Sequence, residues 1–367
     1  MTNRITFLFL DGRTGRIYDK NYADDFFYGY RYFLTKYKNV KIIEMKKAKK
    51  NNLRNFIGFI DNLLRKISNC SFFLNDIVNL QNFKIIKNTE ILIITNDRLG
   101  FSSLPFLIYL KIKKRKVIMF VMGMIKIEYK YFFIKFFNTL FTKILIKLCS
   151  NLIFLSENEC LEAKEKHKNQ ANKMEYIPFC VDTNFWQRSK NYTINKNILF
   201  IGNDGKRDYE LVEQIAEKLK DIKFTFVTNQ IKSTNCKNVN LINGTWANEK
   251  LTDQEIRDLY TKSRLTIIPL KESLQPSGQS VTLQSIATGT PVIITKTSGF
   301  WDETNFSNSE NIFFNYENTL NSWCDQINKI YHDTNTLKEV SKNGFHTVNN
   351  LYNLEIFSSE LKNIIKI

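Results

Sequence analysis

Histidine is almost missing from this sequence. Only His167, His332 and His346 occur in 367 residues, and none precedes position 167. Acid–base chemistry in the first half must therefore come from carboxylates or from the substrate itself. The six cysteines (Cys70, Cys149, Cys160, Cys180, Cys236, Cys324) show no C-x-x-C spacing. That excludes a zinc knuckle and a disulfide framework, and reduced cytoplasmic thiols are the simplest account. A membrane span needs about 20 apolar residues. The most apolar stretch, Phe101 to Met124, is cut by the basic run Lys111 to Lys116. The run Ile5 to Leu10 ahead of Asp11 is too short for the apolar core of a signal peptide. No D-x-D pair in a strand context marks a metal site, so neither metal nor cofactor is expected.

What is present is ordinary globular usage, 43% hydrophobic and 24% charged. A chain of this length exceeds what one core usually organises, so two domains are expected. The net charge of +17 is unevenly placed: residues 1–190 hold 34 Lys and Arg against 16 Asp and Glu, while the remainder is near neutral. Such a field favours an anionic partner at the first half, whether lipid headgroups, an acidic glycan or nucleic acid. Lys, Asn and Ile are abundant throughout, which compositional drift explains, but drift does not explain the asymmetry.

Short β-branched or aromatic runs alternate with longer helical patterns, the signature of parallel sheets with crossover helices. Strands are predicted at 5–10, 40–45, 91–95, 116–122 and 151–155, and helices at 24–37, 53–67, 102–112 and 126–148. A second series has strands at 198–202, 223–227, 238–242, 265–269 and 291–295. Its helices are predicted at 208–220, 253–262, 277–287, 320–331 and 354–365. Two such series predict an α/β protein of two tandem Rossmann-like domains, 1–185 and 186–345, with a closing helical segment 346–367. Ligands of such sheets bind beyond the carboxyl ends of the strands, so the loops there carry the chemistry, in a cleft between the domains.

The segment Leu265 to Lys296, LTIIPLKESLQPSGQSVTLQSIATGTPVIITK, is the most informative. A buried strand ends at Pro269, a polar loop follows, and Ser277-Gly278 opens a helix whose free amides suit a phosphate. Gly278 allows close approach, Ser277 can cap or donate, and Gln284 has the donors and acceptor for a ribose diol. The run resembles the donor-binding motif of GT-B glycosyltransferases, especially family 4, which reads roughly E-x7-E-A-M-A-x-G-x-P-V-V. Gln284 stands at the second acidic position and Pro276 at the first, with Glu272 four residues earlier. Tyr176 to Trp186 resembles the family's interdomain I-P-N-G-V-D segment, and Ile198 to Lys220 its first C-domain strand and glycine-rich loop. The resemblance implies that Lys206 and Arg207 there, beside Gly202 and Asn203, meet the diphosphate.

The resemblance implies donor-binding roles for Gly202, Asn203, Lys206, Arg207, Glu272, Ser277, Gly278, Gln279, Ser280 and Gln284. In the first half, Asp11, Asp24 and Asp25 are the candidate catalytic residues, and an inverting enzyme would need one of these or Asp97 as its base. Asp24 and Asp25 are expected in the first turn of a helix, where the dipole alone would also account for them. Tyr28, Tyr30 and Tyr32 are candidates for stacking on sugar rings. Gly123 stands where family 4 members often carry a histidine, and the resemblance favours retention by front-face attack, in which the leaving phosphate takes the acceptor proton.

The expected activity is metal-independent transfer of a sugar from a nucleotide-sugar donor to a saccharide or lipid-linked acceptor, as in bacterial surface polysaccharide assembly. The expected location is cytoplasmic, with the inner face of the membrane a candidate partner. Lys126 to Cys149 mixes aromatics with lysines, and Lys143 and Lys147 border its apolar stripe, although a helix packed on the sheet explains the pattern as well. The alternatives are a sugar-nucleotide epimerase of the same fold and a basic nucleic-acid-binding protein; no recognised nucleic-acid module supports the latter.

Overall fold

A computed structural model describes residues 4–48, 52–124, 129, 131–188, 196–244 and 251–366. The apolar runs pair as two six-stranded sheets, and every pairing between named strands is parallel. The first contains β1 (Ile5–Phe9), β2 (Val40–Glu44), β3 (Ile91–Ile94), β4 (Lys116–Val121), β5 (Asn151–Phe154) and β6 (Met174–Tyr176) in the order β2-β1-β3-β4-β5-β6. The second contains β7 (Asn197–Ile201), β8 (Lys223–Val227), β9 (Val239–Ile242), β10 (Leu265–Ile268), β11 (Val292–Thr295) and β12 (Phe313–Asn315), ordered β12-β11-β10-β7-β8-β9. Strands such as Ile91–Ile94 and Val292–Thr295 are buried along their whole length, as a sheet covered on both faces requires. Strand order reverses between β1 and β3 in the first sheet and between β7 and β10 in the second, and these reversals define the crevices where ligands enter open sheets.

The chain divides into two units. One comprises residues 1–18, 27–177 and 358–367; the other comprises 19–26 and 178–357. Both boundaries are interleaved in sequence. In the first unit Phe7 packs edge-on against Tyr30, and Lys116 Nζ donates to the Ile365 carbonyl at 2.8 Å. In the second, Ile198, Phe200, Val212, Ile215, Leu265, Ile293 and Trp323 form one apolar core.

The predicted helix over 24–37 is not continuous. Asp25–Phe27 form a single 3-10 turn, Tyr28 and Gly29 adopt φ of 49° and 76°, and the α-helix runs only over Tyr30–Lys36. Two left-handed residues in succession break the helical ladder, so Asp24 and Asp25 do not occupy its first turn. The helix predicted over 102–112 is two, Asp97–Ser102 and Leu104–Ile112. Of the aromatic and basic segment, Phe132–Leu148 is helical, while Lys126 and Lys130 lie outside the described residues. Unpredicted elements include β6, β12 and the helices Glu157–Lys166 and Thr334–Leu351.

Candidate functional site

The reversal between β7 and β10 brings the loops after these two strands together. Lys271 N–H donates to the Lys206 carbonyl at 2.9 Å and Asp208 N–H to the Pro269 carbonyl at 3.0 Å, so the loops are laced by backbone bonds. Within them Arg207 is only 3% exposed. Its Nη1 donates to Ser277 Oγ at 2.6 Å and pairs with Asp204 Oδ2 at 2.9 Å. Ser277 Oγ in turn donates to the same Asp204 oxygen at 3.0 Å. A guanidinium, a hydroxyl and a carboxylate thus form one closed triangle. A buried cation needs such a partner, and Asp204, whose side chain is 46% exposed, supplies it from the solvent side. Asp208 does not pair with Arg207; its Oδ1 accepts from Leu211 N–H and caps the helix Tyr209–Lys218.

Two glycines make room for this arrangement. A Cβ on Gly202 would lie 2.6 Å from Arg207 Nε, so any side chain there displaces the guanidinium. Gly278 has φ of 79°, and a Cβ on it would lie 2.9 Å from Ile268 Cγ2 and 3.7 Å from Arg207 Nη1. Gly278 is the N-cap of the helix Gln279–Ala287 and receives no side-chain capping bond. The amides of its first turn have no partner within the helix, and their dipole favours an anion beside Arg207. Lys206 is half-buried in the same loop, its N–H held by Asp204 Oδ1 at 2.8 Å. Gln279 is buried and Ser280 half-buried in the first helical turn. Gly202, Lys206, Arg207, Ser277, Gly278, Gln279 and Ser280 therefore converge on one side of the second sheet.

Other predicted residues are engaged elsewhere. Asn203 Oδ1 accepts from Asn229 N–H at 2.6 Å and its Nδ2 donates to the Gly244 carbonyl at 3.0 Å, tying together the loops after β7, β8 and β9. Glu272 accepts from the Ser298 amide and hydroxyl and so anchors the turn after β11. Gln284 is a correction to the expectation of a ribose contact. Its Nε2 donates to Asp25 Oδ2 at 2.8 Å and its Oε1 accepts from the Tyr260 hydroxyl at 3.4 Å, all of them buried. Six positions beyond the N-cap, it lies on a packed helix face instead of at the open end.

Asp25 is a second correction. It is 1% exposed, within the second unit, and accepts from Asp182 N–H (2.6 Å), Trp186 Nε1 (2.8 Å) and Gln284 Nε2. Burial pushes its carboxyl up to about 8, against these donors and with help from the nearby Asp253 and Asp182. A carboxyl so enclosed fixes residues 19–26 to the second unit and has no room for an acceptor. Asp24 is half-buried beside it, its N–H donating to Asp182 Oδ2 at 3.3 Å. Asp11 stays exposed in the turn after β1, at the reversal in the first sheet, and Asp97 opens the helix after β3. Tyr28 and Tyr30 are core residues, Tyr28 packed on Phe120 and Tyr30 against Phe7 and Phe9, so neither is open to a sugar ring. Tyr32 is half-buried against Phe33.

Sequence reading missed Asp204 and Asp182. The Asn-Asp-Gly turn at 203–205 was legible as a turn, but which cation its acid holds depends on a contact with residue 277.

No protein-family model matches the chain, and no curated protein matches it significantly. Solved structures do. A glycosyltransferase from Rickettsia africae matches with a TM-score of 0.66 at 15% identity, over 100% of this chain and 99% of that one. The Anabaena protein HepE, solved in complex with UDP, matches at 0.65 and 12%, over 99% of both chains. The sucrose-phosphate synthase of Thermosynechococcus elongatus matches at 0.67 and 11%, over 99% and 98%. Matched end to end, with two all-parallel sheets that each reverse strand order once, the chain has the GT-B fold of these glycosyltransferases.

Proposed function

We propose that the protein transfers a sugar from a nucleotide-sugar donor to a saccharide or lipid-linked acceptor. The observation that carries this reading is the Arg207–Ser277 contact, which sets a buried guanidinium at the start of the helix Gln279–Ala287, in the same loop as the half-buried Lys206. That combination suits a diphosphate. The similar HepE was solved with UDP, with UDP and glucose, and with UDP-glucose, which supports a uridine diphosphate sugar as donor here. The family resemblance supports a role in surface polysaccharide assembly.

The chemistry proposed is retention without a metal. The bond from the anomeric carbon to the diphosphate oxygen breaks and the bond to the acceptor oxygen forms on the same face. The acceptor proton passes to the departing diphosphate, whose charge Lys206, Arg207 and the helix amides stabilise. The enclosure of Asp25 supports a mechanism that asks no base of it. Thermal-shift measurements with UDP-, GDP-, CMP- and ADP-sugars test the donor class, because a ligand that binds only the folded state raises its stability by mass action. Stabilisation by one nucleotide class, weakened in Lys206→Ala, is expected. No shift with any of them, or turnover and donor affinity unchanged in Lys206→Ala with Arg207→Ala, would overturn the assignment.

A further inference from the structure

Among the described residues, the first unit presents an exposed apolar helix face. On the helix Phe132–Leu148, Phe132 is 83% exposed, Phe136 56%, Leu140 41% and Ile144 37%, with Phe133 at 50%. At about 100° per residue these five side chains fall within one arc of about 120°. Asn138, Thr142, Leu145 and Ile146 occupy the opposite, buried side. Lys143 and Lys147 project within the same arc at its C-terminal end, and both are exposed. The helix Asn52–Ser68 lies beside it, joined where Asn138 Nδ2 donates to the Ser68 carbonyl at 2.9 Å. It repeats the pattern with Phe56 62% exposed, Phe59 65% and Leu63 48%, followed by exposed Lys66.

Neither helix exposes an acid. The only carboxylate on the two is Asp61, which is buried and accepts from the Leu74 and Asn75 amides. Solvent-facing aromatics in such number are costly in water and mark a surface that is covered in use. The charge decides what covers it. Lysines within and beside the apolar arcs, no competing acid, and the excess of 34 basic over 16 acidic residues in the first 190 positions complement a negatively charged lipid surface. Lysine stems can reach headgroups while the rings enter the acyl boundary. No described helix is long and apolar enough to cross a bilayer, so the contact is one of lying on the surface.

We propose that the face built by helix Phe132–Leu148, with helix Asn52–Ser68 beside it, docks on an anionic lipid bilayer. This stands independently of the reaction proposed above and gives the basic half of the chain its partner. The test is co-sedimentation of the full chain with vesicles of equal parts phosphatidylglycerol and phosphatidylcholine, and with phosphatidylcholine alone, alongside the oligomeric state measured by sedimentation velocity. Binding to the anionic vesicles is expected, weakening as salt is raised. Phe132→Ser with Phe136→Ser should weaken it at least about tenfold, from the lost apolar burial. Lys143→Glu with Lys147→Glu should weaken it by about fivefold or more per lysine. All four positions are exposed, and an unchanged melting temperature identifies each variant as folded. No binding to anionic vesicles at low salt overturns the proposal, as does binding that both variants retain. A dimer that the phenylalanine variant dissociates, without vesicle binding, assigns the face to a second copy of the chain and overturns it equally. Failure of the donor thermal shifts would leave these outcomes untouched.

Discussion

Asp25 makes the stability of the protein depend on pH in an unusual direction. Its carboxyl is raised from the ordinary 3.8 to about 8 by burial among Asp182, Trp186 and Gln284. The folded protein therefore keeps a proton that the unfolded chain releases above about pH 4, so stability contributed by this group falls as pH rises and levels off only above about 8. Each pH unit in that window removes about 1.4 kcal/mol, so moving from about pH 5 to about pH 8 removes on the order of 4 kcal/mol. In a unit of this size that corresponds to a fall in melting temperature of about 8–16 °C. The assay is thermal unfolding followed by tryptophan fluorescence, since the Trp186 indole donates directly to Asp25. Asp25→Asn removes the proton equilibrium. At about pH 5 the variant should melt lower than the wild type, having exchanged an acceptor for a donor facing Trp186 and Gln284, at about 1–3 kcal/mol. At about pH 8 it should melt at or above the wild type, so the two pH profiles cross. Parallel profiles for wild type and variant between these pH values would refute the argument.

Lys206→Ala should lower donor affinity about tenfold or more through loss of a charge-assisted contact, read by titration calorimetry, while the melting temperature without ligand stays put. Gly278→Ala should cost about 2–4 kcal/mol in denaturant unfolding, from the left-handed backbone and a Cβ placed 2.9 Å from Ile268, and should abolish donor stabilisation. Gly202→Ala should displace the Arg207 guanidinium and raise KM for the donor more than it lowers the melting temperature, measured by steady-state kinetics. Turnover assayed with a chelator should match turnover without it, and loss of activity restored by a divalent cation would refute the metal-free mechanism.

Much of the fold was legible because parallel strands buried on both faces read as unbroken apolar runs. Lys223–Val227 and the helix Asp253–Lys262 fall where predicted, and in the structure Thr252 and Glu255 close a capping box at the start of the latter. β6 and β12, three residues each at sheet edges, are too short to show any period. The switch-point loops were legible through the order of the glycines, Lys206-Arg207 and Ser277-Gly278. Asp25 was misread because its partners lie 157 to 259 residues away, and no local pattern reports a bond of that span. The same distance hid the true role of Gln284.

The membership of residues 19–26 in the second unit constrains how this protein can be cut and how it is made. A fragment that starts near residue 178 would leave Gln284, Trp186 and Asp182 facing water where Asp25 belongs, so isolated expression of that half calls for a graft of the missing peptide. On the ribosome the same peptide is synthesised early and must be kept unpaired until more than 150 later residues have emerged to receive it. Asp25 meets its last partner only once Gln284, 259 residues later, has been made.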